Sequence, residues 1–182
     1  MLSELGPMTL KELKYYIVQD MGYYNGKPFR SFLSRYLFEA GFKFIFWHRI
    51  TRYFYLKNSF LCFFPRFILK HYSYKYNFDI SYRAQIGPNL QIAHFGYIIV
   101  PSYVTLGKNC KLRPGVVFGK KLTGETEKAV IGDNCDFGVG SKIIGNVKIG
   151  DNVIVGANAV ITKNVPSDVV VAGVPGKIIK IK

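Results

Sequence analysis

IGDNCDFGVGSKIIGNVKIGDNVIVGANAVI, residues Ile131–Ile161, places an apolar side chain at every sixth position: Ile131, Phe137, Ile143, Ile149, Val155 and Ile161. Carried back across a break, the same count collects Ile80, Ile86, Ile92, Ile98, Val104, Cys110 and Val116. Thirteen phased positions without a polar residue is a longer run than a chain with 49% hydrophobic residues gives by chance. Four places after the phased residue the side chain is usually small or branched, as at Ala84, Gly96, Ser102, Ser141, Val147, Val153 and Ala159. Glycine crowds the position directly after the phased residue, at Gly87, Gly132, Gly138, Gly150 and Gly156, where it is expected to take backbone angles that other residues avoid. A six-residue period predicts a parallel β-helix. Each unit is a short strand and a corner, and no unit can bury its own inward side chain, so neighbours must stack. Three units close a coil of about 18 residues, and coils stack at about 4.8 Å.

The chain has 182 residues, enough for one solid domain and an appendage. A formal charge of +14 calls for an anionic partner: nucleic acid, a phosphorylated cofactor or an acidic membrane surface. No run of 18 apolar residues occurs and the first residues, MLSELGPMTLKELKYY, lack a signal-peptide pattern, so a cytoplasmic protein is expected. Cys62, Cys110 and Cys135 form no CxxC pair. Cys110 falls on an inward position and Cys135 on a small-residue position, which reads as packing in a reducing compartment.

Residues 1–78 differ from the repeat that fills 79–182. They hold 23 of the 29 aromatic residues and 12 of the 25 Lys and Arg, against four acids. Met8–Met21 has a helical pattern, Asn25-Gly26 and Pro28 mark a turn, and Phe29 to about Lys57 is again helical. A further apolar stretch, Phe60–Leu69, is interrupted by Pro65 and Arg66. Two readings stay open: a helical cap packed on the first coil, or a surface that also lies in the headgroups of an anionic membrane. Nucleic acid is not expected, since no recognition motif accompanies the aromatics and cations.

Phe118–Val130, FGKKLTGETEKAV, adds nine residues to the ordinary six and must leave the coil as a loop, either solvated or walling a site. The tail 165–182 ends in KIIKIK, whose alternation predicts a last strand covering the open edge. Of His48, His71 and His94, only His94 lies in the repeat, so a three-histidine zinc site on the repeat is excluded and no metal is expected. Asp79 falls 15 residues earlier, close enough in a stack to orient an imidazole as a general base.

DISYRAQIGPNLQIAH (Asp79–His94), the loop FGKKLTGETEKA and Ile131–Lys177 resemble the serine acetyltransferase branch of the hexapeptide-repeat acyltransferases. His48–Ile80 is similar to that branch's last helical segment. The resemblance implies a mainly β fold, a left-handed parallel β-helix with an N-terminal α-helical region, and a homotrimer with sites between subunits. It implies acetyl-CoA as donor, His94 as catalytic base and Asp79 as its orienting partner. By similarity to the galactoside acetyltransferases, Val139, Ala157, Thr162, Lys163, Lys177 and Lys180 fall where coenzyme A is held. The lysines suit a phosphorylated coenzyme. Where the family has serine, Val139 leaves only a backbone or apolar contact.

Two departures bear on the acceptor. The branch has aspartate before the histidine, where this chain has Ala93, and Arg-His after the loop, where it has Glu127-Lys128. Both counter-charges for a free amino acid are missing, so recognition of serine is expected to be poor. The sequence therefore favours O-acetylation of a sugar hydroxyl on a bacterial surface glycan or its lipid-linked precursor, as in capsule, exopolysaccharide or lipopolysaccharide. The alternatives are a serine O-acetyltransferase with a divergent acceptor pocket and a non-catalytic trimeric scaffold.

Overall fold

A computed structural model describes residues 8–22, 28–121 and 128–182. Four helices come first: α1 (Leu10–Asp20), α2 (Pro28–Phe38), α3 (Ala40–Leu56) and α4 (Phe63–Tyr76), the last preceded by a 3₁₀ turn over Phe60–Cys62. Thr9 and Glu12 form a reciprocal capping box that starts α1. The helix expected from Phe29 to Lys57 is two helices, broken where Glu39 takes an extended conformation. The break folds α2 back, so that Phe32 meets Phe42 and Phe46 edge to face and Tyr36 meets Phe46. Pro65 does not interrupt the next segment. It lies in the first turn of α4, where the missing N–H has no intrahelical partner to lose. Asn77 ends α4 in the left-handed conformation, at φ 59°.

From Phe78 onward the chain winds into three parallel sheets. The first face stacks Phe78–Ile80, Ile98–Val100, Val117–Gly119, Lys142–Ile144 and Val160–Ile161. The second stacks Gln85–Ile86, Val104–Leu106, Ala129–Ile131 and Lys148–Ile149. The third runs from Gln91–Ile92 to Val169–Ala172, and Lys177–Ile181 adds to it antiparallel, covering the edge as the tail pattern predicted. Twelve of the thirteen phased residues are buried; Ile92 is partly exposed where α3 meets the first coil.

The register is not the uniform count of six. Ile80 stacks beneath Val100, so the first coil takes 20 residues, whereas Lys142 stacks beneath Val160 in a coil of 18. The extra pair lies between Ile92 and Ile99, a seven-residue step, where Leu112 to Val117, the next coil's equivalent, takes five. Ile98, Val104, Cys110 and Val116 therefore occupy the second inward column, two residues before the column of Ile80 and Ile86. Both columns face the axis, because alternate residues of a strand share a side. The slip also shortens the loop: Val117 stacks on Lys142, seven residues more than a plain coil, against nine from a uniform count.

Glycine's task also differs from the expected one. Gly87 and Gly138 are not left-handed. A Cβ on either would sit 2.6 Å from backbone atoms of the next coil, so close approach excludes any side chain there. At the corner after the second face the left-handed position is held by Asn89, Asn109, Asn134 and Asn152, with φ of 57° or 58°, and by Asp168, while Gly115 and Gly140 take positive φ at the corner below His94. The side chains of these asparagines and Asp168 form a ladder, each amide donating to the next oxygen at 2.8–3.0 Å.

Directly after its first two strands the earlier coil donates N–H groups to the following one, as Ser81 N to Val100 O and Gly87 N to Leu106 O, while corner groups such as Asn109 N donate back to Pro88 O. The carbonyls of Ser81–Ala84, Ile86 and Gly87 in the first coil find their donors on α3. Neutral His48 donates from Nε2 to Ser81 O. Arg52 donates to the carbonyls of Tyr82, Arg83 and Ala84. Arg49 donates to those of Ile86 and Gly87 at 2.6 and 2.7 Å and pairs with Asp20 at 2.7 Å, wholly buried. Burial, with Arg49 beside it, pushes the His48 pKa down to about 3. Two of the cations counted toward a basic surface are thus internal, spent on the open end of the β-helix.

Candidate active site

His94 stands exposed on the lengthened corner between the third and first faces. The two added residues swing this corner out against the end of α4: Gly96 N donates to Tyr76 O at 3.0 Å and Ile98 N to Asn77 O at 3.3 Å. Gly96, at φ 139°, supplies a backbone angle that a side chain would resist. Asp79 follows directly on this junction, exposed, stacked beneath Ile99. No hydrogen bond joins Asp79 to His94 among the described residues; the chain brings their segments together without pairing their side chains.

Two clefts open on either side of His94. One, about 350 Å³, is lined by Gln91, Ala93, His94 and Lys111 from the coils and by Arg35 and Glu39 from the α2–α3 break. The other, about 410 Å³, adds Phe38, Lys43, Tyr76 and Phe95. Glu39, Ala93 and His94 border both. Glu39 also pairs with Arg35 at 2.9 Å. A carboxylate from the helices thus lines the same clefts as Ala93. Glu39 is one of only four acids in 1–78 and sits at a helix break, yet nothing in the repeat count connects it to His94.

The remaining expected residues divide between two edges. The His94 corner continues down the stack through hydrogen bonds from Gly115 N to Tyr97 O, Gly140 N to Pro114 O, Asn158 N to Val139 O and Val160 N to Gly173 O. Val139 and Ala157 therefore lie on the same edge as His94, in later coils, with their side chains exposed. Thr162 and Lys163 leave the far end of the first face instead. Lys177 and Lys180 stand exposed on the terminal strand, paired across to Ala172 and Val170. Glu127, with the rest of 122–127 in the loop, lies outside the described residues, while Lys128 is exposed at its end. Among the described residues no group of three His, Cys, Asp or Glu could hold a metal ion.

Residues 128–163 match the bacterial transferase hexapeptide family, described as six repeats. A serine acetyltransferase of Staphylococcus epidermidis is 40% identical over 104 residues, 56% of this chain and 48% of that protein. One from Synechococcus elongatus is 31% identical over 153 residues, 82% of this chain and 61% of that protein. The chain thus spans about half to three-fifths of the length of the curated relatives it matches. Among solved structures, the serine acetyltransferase of Brucella abortus superposes with a TM-score of 0.78 at 27% identity, covering 94% of this chain and 70% of that one. Its complex with coenzyme A gives 0.80 at 25% identity, covering 95% and 70%. Repeat and neighbours imply a left-handed coil with an N-terminal helical region. The relatives' names favour the serine alternative over the surface-glycan acceptor anticipated from the sequence, and nothing in the comparisons points to capsule or polysaccharide biosynthesis. By repeat, stacking and relatives, the chain is similar to the hexapeptide-repeat acyltransferases, and residues 128–163 carry that family's repeat.

Proposed function

We propose that the chain is an acetyl-CoA-dependent O-acetyltransferase, working as a cytoplasmic homotrimer, with His94 as general base. The observation that carries this reading is the corner itself: a two-residue lengthening projects the repeat's only histidine between two clefts, at the head of an edge that continues to Val139 and Ala157. An acceptor hydroxyl hydrogen-bonded to His94 gives up its proton to the imidazole as its oxygen attacks the thioester carbonyl. The C–S bond breaks, and the imidazolium returns the proton to the leaving thiolate. Asp79, next to the same junction, would hold the ring in one tautomer. Lys163, Lys177 and Lys180 are exposed cations suited to the coenzyme's phosphates.

The relatives support serine as acceptor, and Glu39 beside Ala93 offers a carboxylate for its ammonium group. A second reading, a sugar hydroxyl on a glycan or lipid-linked precursor, is favoured by exposed Phe38 and Phe95 around His94, which present flat apolar surface to a ring. Thiol release from acetyl-CoA is measured with L-serine and with a panel of sugars and nucleotide sugars. Serine-dependent release that Glu39→Gln weakens through KM supports the first acceptor. Release with a sugar alone establishes the second, and release with neither rejects acetyl transfer in favour of a scaffold.

A further inference from the structure

Helix α4 carries two apolar stripes where a helix lying on a protein surface needs one. The inner stripe, Pro65 and Leu69 with half-buried Tyr72 and Tyr76, packs toward the barrel and α3. The outer stripe begins in the 3₁₀ turn and follows the i, i+3, i+4, i+7 spacing: Phe60, Phe63, Phe64 and Phe67. These four are 88%, 78%, 68% and 72% exposed. Tyr74, about two turns further on, is 75% exposed. Large aromatics at such exposure, side by side on one face, are not ordinary surface composition.

The charges beside the stripe are of one sign. Between Glu39 and Asp79 the sequence has no Asp or Glu but seven Lys and Arg. Arg49 and Arg52 are internal, whereas Arg66 and Lys70 stand exposed next to the phenylalanines and with Phe63 and Phe67 line a groove of about 370 Å³. Arg66 lies over the Tyr82 ring and Lys70 over that of Tyr74, at 5.5 and 4.5 Å. A second copy meeting this face isologously would set Arg66 and Lys70 against their own equivalents, which like-charge repulsion opposes. A bilayer surface with anionic headgroups complements both features: phosphates for the cations, the acyl boundary for the rings. Among the described residues no helix is long and apolar enough to cross a membrane, so such contact would be interfacial.

We propose that the outer face of the Phe60–Tyr76 segment docks the protein on anionic lipid, with Phe60, Phe63, Phe64 and Phe67 inserted at headgroup depth and Arg66 and Lys70 on lipid phosphate. Docking stands apart from the acetyl-transfer reading and is measured without substrate. Full-length protein is sedimented with vesicles of phosphatidylglycerol and phosphatidylcholine, and with pure phosphatidylcholine, at low and high salt. Binding is expected only to the anionic vesicles, weakening with salt as the cations are screened. Each cation removed should cost about fivefold in partition. Arg66→Gln/Lys70→Gln should therefore lose about 25-fold. Phe63→Ser/Phe67→Ser, which touches neither the inner stripe nor the barrel, should abolish pelleting while its far-UV spectrum is unchanged. Wild-type protein left in the supernatant with every vesicle overturns the proposal. So does a concentration-dependent doubling of mass in light scattering that Phe63→Ser/Phe67→Ser removes, since that makes the occupant a second copy.

Discussion

Arg49→Met removes the cation that closes the open end of the β-helix. The wild-type guanidinium makes four hydrogen bonds: two to Asp20 and one each to Ile86 O and Gly87 O. Methionine fills similar volume and makes none of them. The Asp20 carboxylate is then left buried with one donor, Leu90 N at 3.2 Å. Stranding one partner of a buried pair costs about 3–5 kcal/mol. The two carbonyls also lose their donors, Ile86 O in a buried bond and Gly87 O in a half-buried one, so the upper end of that range, about 5 kcal/mol, is expected. The assay is equilibrium unfolding in urea at fixed protein concentration, followed by Trp47, the single tryptophan, which neighbours His48 on α3. Asp20→Asn/Arg49→Met should lose less than the sum of the single variants, because the uncompensated charge is gone. A cost below about 1 kcal/mol for Arg49→Met, or strict additivity in the cycle, would refute the idea that α3 closes the carbonyl row by charge.

His48 gives a pH signature. The native state keeps it neutral down to about 3, while the unfolded chain takes a proton near 6.5, so below that value the unfolded state binds more protons. Stability should fall as pH drops from about 6.5 toward 3, by at most about 1.4 kcal/mol per unit and about 2 kcal/mol at pH 5. His48→Gln should flatten that slope in denaturation midpoints taken between pH 7 and 5; an unchanged slope assigns the sensitivity elsewhere. At the site, His94→Ala should lower turnover roughly 10²–10⁴-fold with the assembly intact, and Asp79→Asn should do less harm. A folded His94→Ala enzyme that keeps most of its activity would remove the base from the mechanism.

The interior was legible because a coil repeats the same demand every six residues. The two-residue slip was not, since two is the period of a strand: displacing the count by two exchanges one inward column for the other and leaves an apolar residue on every phased position. The ladder was present in the sequence as Asn89, Asn109, Asn134 and Asn152, but the glycines nearby drew the left-handed assignment instead. His94 stood out as the repeat's one histidine. Glu39 could not, because its place beside Ala93 depends on the helix break and on α3 lying across the first coil, where Gly41 meets Ile92 so closely that a Cβ would stand 2.5 Å from the carbonyl oxygen. Arg49 and Arg52 read as surface charge since nothing local says that carbonyls of the first coil find their donors on α3.

The lengthened first coil and the helical cap belong to one device. A corner of ordinary length would leave residue 94 against the stack, as Pro114 is held by the hydrogen bond from Gly140 N to its carbonyl. With two added residues the carbonyl that accepts from the next coil is that of Tyr97 rather than of His94, and Gly96 N and Ile98 N donate to the end of α4. The histidine is then positioned by the helices as much as by the barrel. Glu39, Phe38, Lys43 and Tyr76 in the clefts come from the helical segment, and Gln91, Phe95 and Lys111 come from the coils. The edge running from His94 through Val139 to Ala157 is built from repeat units alone. On the proposed reading, the acceptor clefts draw on both the helices and the first coils, whereas the proposed donor edge uses the coils alone. Relatives with the same repeat could change acceptor by altering the α2–α3 break and the end of α4 while leaving the stacked coils untouched.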